Sequence, residues 1–121
     1  MAGLPLNTFK SVPFIVTNTL SQIYAAPLGI TSIVLMAQVA NTINLPLTVS
    51  FVHYSYSQKI YTYIVYNAIV APNDALILLG GKLVLQSQDV IFIEGSGYTY
   101  NPTATPQPLQ FIASILETAN Q

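Results

Sequence analysis

Cysteine, tryptophan and arginine are all missing from this 121-residue sequence. Without cysteine there is no disulfide framework, no thiolate metal site and no cysteine nucleophile, and the redox character of the compartment leaves no trace. With Lys10, Lys59 and Lys82 as the only fixed cations, the chain cannot neutralise the several phosphates that electrostatic nucleic-acid binding needs. Anions are equally scarce: Asp74, Asp89, Glu94 and Glu117 bring the net charge to −1. Soluble proteins are about 25% charged, whereas the share here is 6%. Hydrophobic content is close to normal at 52%, so the deficit is specifically one of charge; Asn, Gln, Ser, Thr and eight tyrosines fill the gap. A folded monomer of this mass exposes about 6,400 Å², or roughly 900 Å² for each formal charge. Such a coat protects poorly against association. The expectation is a protein whose faces are covered by neighbours.

Long apolar runs are lacking as well. The window Leu28–Leu47 is uncharged, but it holds Gly29, Thr31, Ser32, Gln38, Asn41, Thr42, Asn44 and Pro46, and its longest unbroken apolar run is Ile33–Ala37. That is far short of the ~20 residues that cross hydrocarbon, and no basic cluster flanks it. No membrane span is expected. The start, Met1-Ala-Gly-Leu-Pro, shows neither the basic region nor the compact apolar stretch of a secretory signal.

What is present is the periodicity of strands. Val, Ile, Thr and Tyr dominate, and Pro, Gly or Asn punctuate about every ten residues, the spacing of an all-β sandwich or barrel. Strands are expected at Val12–Thr17, Ser21–Ala25, Thr31–Ala40 (with Ile33, Leu35, Ala37 and Val39 on one face), Leu47–Tyr56, Lys59–Ile69, Ala75–Leu79, Lys82–Gln86, Val90–Glu94 and Leu109–Thr118. A two-residue turn at Ser57-Gln58 would set Tyr54 opposite Tyr61 and Val52 opposite Tyr63 on one face. On the other it would set Phe51 opposite Ile64 and Val49 opposite Tyr66. The first face is apolar and aromatic, the kind of surface that suits a subunit contact. Ala71-Pro72-Asn73-Asp74 has the pattern of a type I turn, and Gly80-Gly81 that of a tight hairpin. Gly95–Pro108, with three prolines and no charge, reads as a stiff, extended long loop. The size allows one domain, 1–121, with a flexible arm at 1–10, the long loop at 95–108 and a tail at 119–121.

Catalytic chemistry fails on numbers. His53 is the single histidine; as a base it needs a nucleophile and an orienting partner, and as a zinc ligand two or three companions. It is read as structural. Asp74 and Asp89 stand at turns, where capping of backbone N–H groups explains them, and Glu94 ends a strand. These three lack the spacing of a calcium loop. Gly80-Gly81-Lys82 lacks the spacing and the following helix of a phosphate loop. No enzyme, no metal and no cofactor are expected.

Several runs carry a family resemblance: Ile69-Val70-Ala71-Pro72-Asn73-Asp74-Ala75-Leu76, Leu79-Gly80-Gly81-Lys82-Leu83-Val84-Leu85, Asp89-Val90-Ile91 and Ser114-Ile115-Leu116-Glu117-Thr118. Together with Leu28-Gly29-Ile30-Thr31 and Ala40-Asn41-Thr42, they resemble small structural proteins of tailed-bacteriophage virions, over most of Ser21–Thr118. Members of that family usually read Pro-Gly-Asp where this chain has Ser87-Gln88-Asp89, and usually lack the Gly95–Pro108 insertion. The resemblance implies an all-β virion component in many copies, assembled in the host cytoplasm. It would decorate or cement the capsid, or sit in the neck, tail or baseplate.

The expectation is therefore a single antiparallel β-sandwich, jelly-roll-like with about eight strands. It would serve as a non-enzymatic subunit that forms a trimer or larger ring and contacts other virion proteins. Candidate contact residues are Tyr54, Tyr56, Tyr61, Tyr63, Tyr98 and Tyr100. The Leu47–Ile69 ribbon and the Leu109–Thr118 strand are candidate edges for pairing with a neighbour. The alternative is a tail, baseplate or receptor-binding tip whose tyrosines stack on glycans, although such sites usually add Trp or Arg, and this chain has neither.

Overall fold

The computed structural model describes residues 7–119, and within them the chain forms nine strands and no helix. These are β1 (Asn7–Ile15), β2 (Ser21–Ala25), β3 (Ile30–Asn41), β4 (Leu47–Ser55), β5 (Ile60–Val70), β6 (Ala75–Ile77), β7 (Leu83–Leu85), β8 (Val90–Ser96) and β9 (Leu109–Ala119). Two antiparallel sheets pack face to face. One has the order β1-β9-β3-β6, with β7 also paired to β3; the other runs β2-β8-β4-β5. β6 and β7 lie end to end along β3, opposite Gln38–Ala40 and Ser32–Val34 respectively. Counted as one split strand, they leave eight, with first beside last, second beside seventh, third beside sixth and fourth beside fifth. That nesting is the jelly roll, two Greek keys wrapped into a double sheet.

The core follows from period-2 alternation on the inner faces. Val34, Ala37, Val39, Leu85, Leu109, Phe111, Ala113 and Ile115 come from one sheet, and Leu47, Val49, Phe51, Ile91 and Ile93 from the other. Phe51 and Phe111 meet across the gap with ring centroids 5.8 Å apart. A polar tie also joins the sheets. Tyr24 on β2 donates its hydroxyl to Glu117 on β9 and sits 2.8 Å from Ser32 Oγ on β3, while Lys10 on β1 lies 3.3 Å from the same carboxylate. Burial, then the neighbouring carboxylate, drives the Tyr24 phenol well above its ordinary range.

Several expectations are corrected. Asn7–Lys10 are not an arm but the first part of β1, paired with Ile115–Thr118 and anchored by the Lys10–Glu117 ion pair; Met1–Leu6 lie outside the described residues. Ala119 ends β9 opposite Ile30, and Asn120 and Gln121 again lie outside. In β3 the ladder to β9 breaks register between Val34 and Met36. The extra residue switches the face that looks inward, so Ser32 and Val34 are buried before the break and Ala37 and Val39 after it, while Ile33 and Leu35 are only half-buried. Gly80-Gly81 does not close a hairpin. Neither glycine has positive φ, and β6 and β7 pair with β3 rather than with each other. The open edge of β3 satisfies their backbone, and Leu78 N continues the ladder to Ala37 O at 2.9 Å. Asn73, with φ 55°, makes the Pro72-Asn73 turn type II rather than type I. Leu109–Thr118 is not an edge, because β9 lies between β1 and β3.

The loop expected at Gly95–Pro108 starts later, because Gly95 and Ser96 still belong to β8 and pair with Val49 and Thr48, and it is folded back and pinned, not extended. Asn18 Nδ2 donates to Tyr98 O at 2.9 Å and Gly95 O at 3.3 Å, and Asn18 Oδ1 accepts from Tyr100 N at 2.7 Å. Tyr98 Oη donates to Val16 O at 2.7 Å, and Thr42 Oγ1 donates to Gln107 O at 2.8 Å. Gly95 is required where the loop leaves β8: a Cβ there would lie 2.7 Å from Leu109 Cδ1 and 3.0 Å from Val16 Cγ1.

Candidate functional site

The outer face of the β2-β8-β4-β5 sheet gathers the aromatic side chains. Register brings Tyr54 opposite Tyr61 and Val52 opposite Tyr63 on β4 and β5, as expected, while β8 sets Phe92 beside Val52. The Tyr54 and Tyr61 rings lie 4.5 Å apart, and Tyr61 reaches Phe92 at 5.9 Å. Val52 is fully buried yet takes no part in the core cluster. It forms the floor of this outward aromatic layer. Tyr61 and Tyr63 remain more than half exposed.

Beyond Tyr63 the expected register fails. Phe51 faces Val65 rather than Ile64, and Val49 faces Ala68 rather than Tyr66. Two bulges in β5 account for the extra residues. The second is held by Ser50, whose Oγ accepts from Asn67 N at 2.9 Å and lies 3.2 Å from Asn67 Oδ1, with Asn67 at φ 47°. A short polar side chain that tolerates positive φ suits that position. The bulging brings Tyr66, three positions from Tyr63, into edge-to-face contact with it at 4.8 Å. Tyr66 and Phe92 thus belong to the face although the sequence reading did not include them; Phe92 could have been found from its alternation with Ile91 and Ile93.

The other three candidate tyrosines lie elsewhere. Tyr56 closes the β4–β5 turn, a four-residue connection longer than expected, in which Lys59 N donates to Ser55 O at 2.8 Å. Lys59 Nζ sits 3.8 Å from the Tyr56 ring centroid, a cation–π contact. Tyr98 and Tyr100 lie at the opposite end of the sheet in the pinned loop. Burial, with a smaller contribution from Tyr100, pushes the Tyr98 phenol up to about 12.

A second constellation sits at the mouth between the sheets. His53 Nε2 lies 3.2 Å from Asp89 Oδ2, and the buried Asp89 also accepts from Tyr56 N (2.9 Å) and Gln86 N (3.0 Å). The capping role read for Asp89 is realised; its pairing with His53, 36 positions away, is what the sequence did not reveal. These residues border a cleft of about 240 Å³ with Ser55, Thr62 and Gln86. Ser55 Oγ accepts from Gln58 N at 3.3 Å, so the nearby hydroxyl serves the turn. Asp74 caps Ala75 N at 2.8 Å. Among the described residues no three His, Asp or Glu side chains gather where they could hold a metal ion, and no helix is long and apolar enough to cross a membrane.

No protein-family model and no curated protein matches the chain. Solved structures do. A chain of the T13 viral particle of infectious bursal disease virus matches with a TM-score of 0.54 at 11% identity, over 95% of this chain and 31% of that one. The VP2 subviral particle of the same virus matches at 0.50 and 11%, over 97% and 33%. A protein of the Bacillus endospore appendages, a family of disulfide-linked pili, matches at 0.54 and 15%, over 95% and 88%. The chain thus spans about a third of the viral proteins but most of the pilus protein. At these identities the likeness establishes a shared fold: a β-sandwich that also occurs in subunits of virus particles and of pili.

Proposed function

We propose that this chain is a non-enzymatic structural subunit of a virion, built into the particle in many copies of itself and covered there by siblings and other particle proteins. The carrying observation is the combination of 6% charged residues with an exposed aromatic sheet face. Tyr61, Tyr63 and Tyr66 are each more than half exposed in the single chain, and together with Tyr54 and Phe92 they form a contact face on β4, β5 and β8. Neighbours of the same fold from virus particles and pili support the reading. So does the likeness of the sequence to tailed-bacteriophage structural proteins, which fits capsid decoration or cementing and equally a place in the neck, tail or baseplate. Lacking cysteine, the chain would join its copies without the covalent links named for the pili.

The test is native mass spectrometry of the purified chain and of Tyr61→Ser/Tyr63→Ser. A defined oligomer is expected for the parent and a lower mass for the double variant. An unchanged mass would dismiss the face as the contact, and a parent that stays monomeric at micromolar concentration would dismiss the assembly.

A further inference from the structure

A sheet edge presents a row of unpaired N–H and C=O groups, and folded proteins blunt such edges with charge, proline, bulges or brevity. The four edges here are unequally blunted. β1 carries Lys10 and Pro13. β2 has five residues and a register break between Gln22 and Tyr24. β6 and β7 have three residues each. β5 has eleven, with neither charge nor proline. It also bears Ile60, Tyr61, Tyr63, Tyr66 and Ile69, each more than half exposed. Its only defence is the pair of bulges beyond Tyr63, which leaves Ile60–Tyr63 as a regular stretch opposite Val52–Ser55.

We infer that β5 pairs antiparallel with β5 of a second copy, across a two-fold axis through Ile60–Tyr63, so that two four-stranded sheets become one of eight. This deepens the assembly reading above and rests on it. The occupant follows from self-complementarity. An antiparallel edge is its own hydrogen-bonding complement, and an uncharged strand sets no like charges opposite each other. A charged foreign segment would find no counter-ion on β5. Both sides of the stretch are apolar enough to meet their own kind: Tyr61 and Tyr63 on the aromatic face, Ile60 on the cleft side. The bulges at Ile64–Asn67 halt the ladder, and a two-fold contact closes on itself instead of growing a fibre.

The absence of native cysteine gives a clean experiment on the full chain. Single variants Ile60→Cys, Tyr61→Cys, Thr62→Cys and Tyr63→Cys are oxidised mildly and weighed without reductant, with Gln22→Cys on β2 and Phe9→Cys on β1 as controls. On a two-fold axis only the axial residue lies opposite its own copy, at about 4.5–5.5 Å between Cβ atoms, and the residues flanking it lie opposite each other. With the axis on Tyr61, Tyr61→Cys should give a band at twice the chain mass by itself, and Ile60→Cys should link to Thr62→Cys when the two are mixed. With the axis on Thr62, Thr62→Cys should link by itself, and Tyr61→Cys to Tyr63→Cys when mixed. In either case the controls should give none. Linking of Tyr61→Cys and of Tyr63→Cys each with itself, and none through Ile60 or Thr62, means face-to-face packing; it overturns the edge joint and leaves the assembly reading intact. Linking nowhere, with an oligomeric parent, also overturns the joint, and a monomeric parent overturns both. Hydrogen exchange on the unmodified chain checks the same point: amides of Ile60–Tyr63 should slow on going from dilute to concentrated protein, and unchanged exchange in an oligomer rejects the pairing.

Discussion

Asp89 receives two backbone N–H groups and the His53 ring while almost wholly buried. It thereby ties the β4–β5 turn to the turn that leads from β7 into β8. Asp89→Ala strands those donors and should cost about 3 kcal/mol, read as a lower urea midpoint. Tyr98 makes a prediction about pH. Its folded pKa is raised to about 12, above the ~10 of an unfolded tyrosine. Between those values the unfolded chain has released a proton that the folded one retains, so stability is full below pH ~10 and falls as pH rises. Tyr24 acts with the same sign. Tyr98→Phe should lose about 1 kcal/mol at neutral pH, for want of the bond to Val16 O. It should also show a shallower alkaline decline when urea midpoints are compared at neutral pH and near pH ~11.

At the scale of elements, the Gly80-Gly81 segment separates two readings that the sequence alone cannot. A primed hairpin turn would need positive φ there, but the glycines have none and no atom lies within 4 Å of a built Cβ. Gly80→Ala/Gly81→Ala should therefore be neutral or stabilising by about 0.4–1 kcal/mol per site, through loss of unfolded-state freedom; a thermal melt checks it. The same segment shows what was legible. Strand positions such as Ser21–Ala25 and Leu47–Ser55 were readable because alternation and β-branched residues are local signals. Tyr54 opposite Tyr61 was readable because the turn sets the register nearby. The bulge at Leu35 was not, since it answers to the twist of two packed sheets; at Asn67 the local sign is a residue type that tolerates positive φ, while Ser50, which holds it, lies 17 positions away. Nor was the pinning of the Gly95–Pro108 loop, which depends on Asn18, some 80 positions away.

The whole molecule exposes 6787 Å² as a single chain, with seven formal charges to serve it. Asp89 is buried and Glu117 nearly so, leaving Lys10, Lys59, Lys82, Asp74 and Glu94 to meet water. Contacts made by such a surface are apolar and hydrogen-bonded, so the oligomer mass should hold from low salt to about 1 M, where the screening length shrinks to ~3 Å. Light scattering across that range tests it; dissociation by salt would point to charge pairs as the glue.

Because β9 is threaded between β1 and β3, the order of synthesis matters. A ribosome delivers β1 and β3 long before the strand that must lie between them. The nascent chain therefore carries β1 without its ladder partner, and β3 open on the side away from β6 and β7, until Leu109–Ala119 emerges, and the sandwich closes in a late step of long-range contacts, the kind that makes β-rich domains slow to fold. In a cell crowded with identical polysomes, that waiting period is when siblings are most apt to join wrongly.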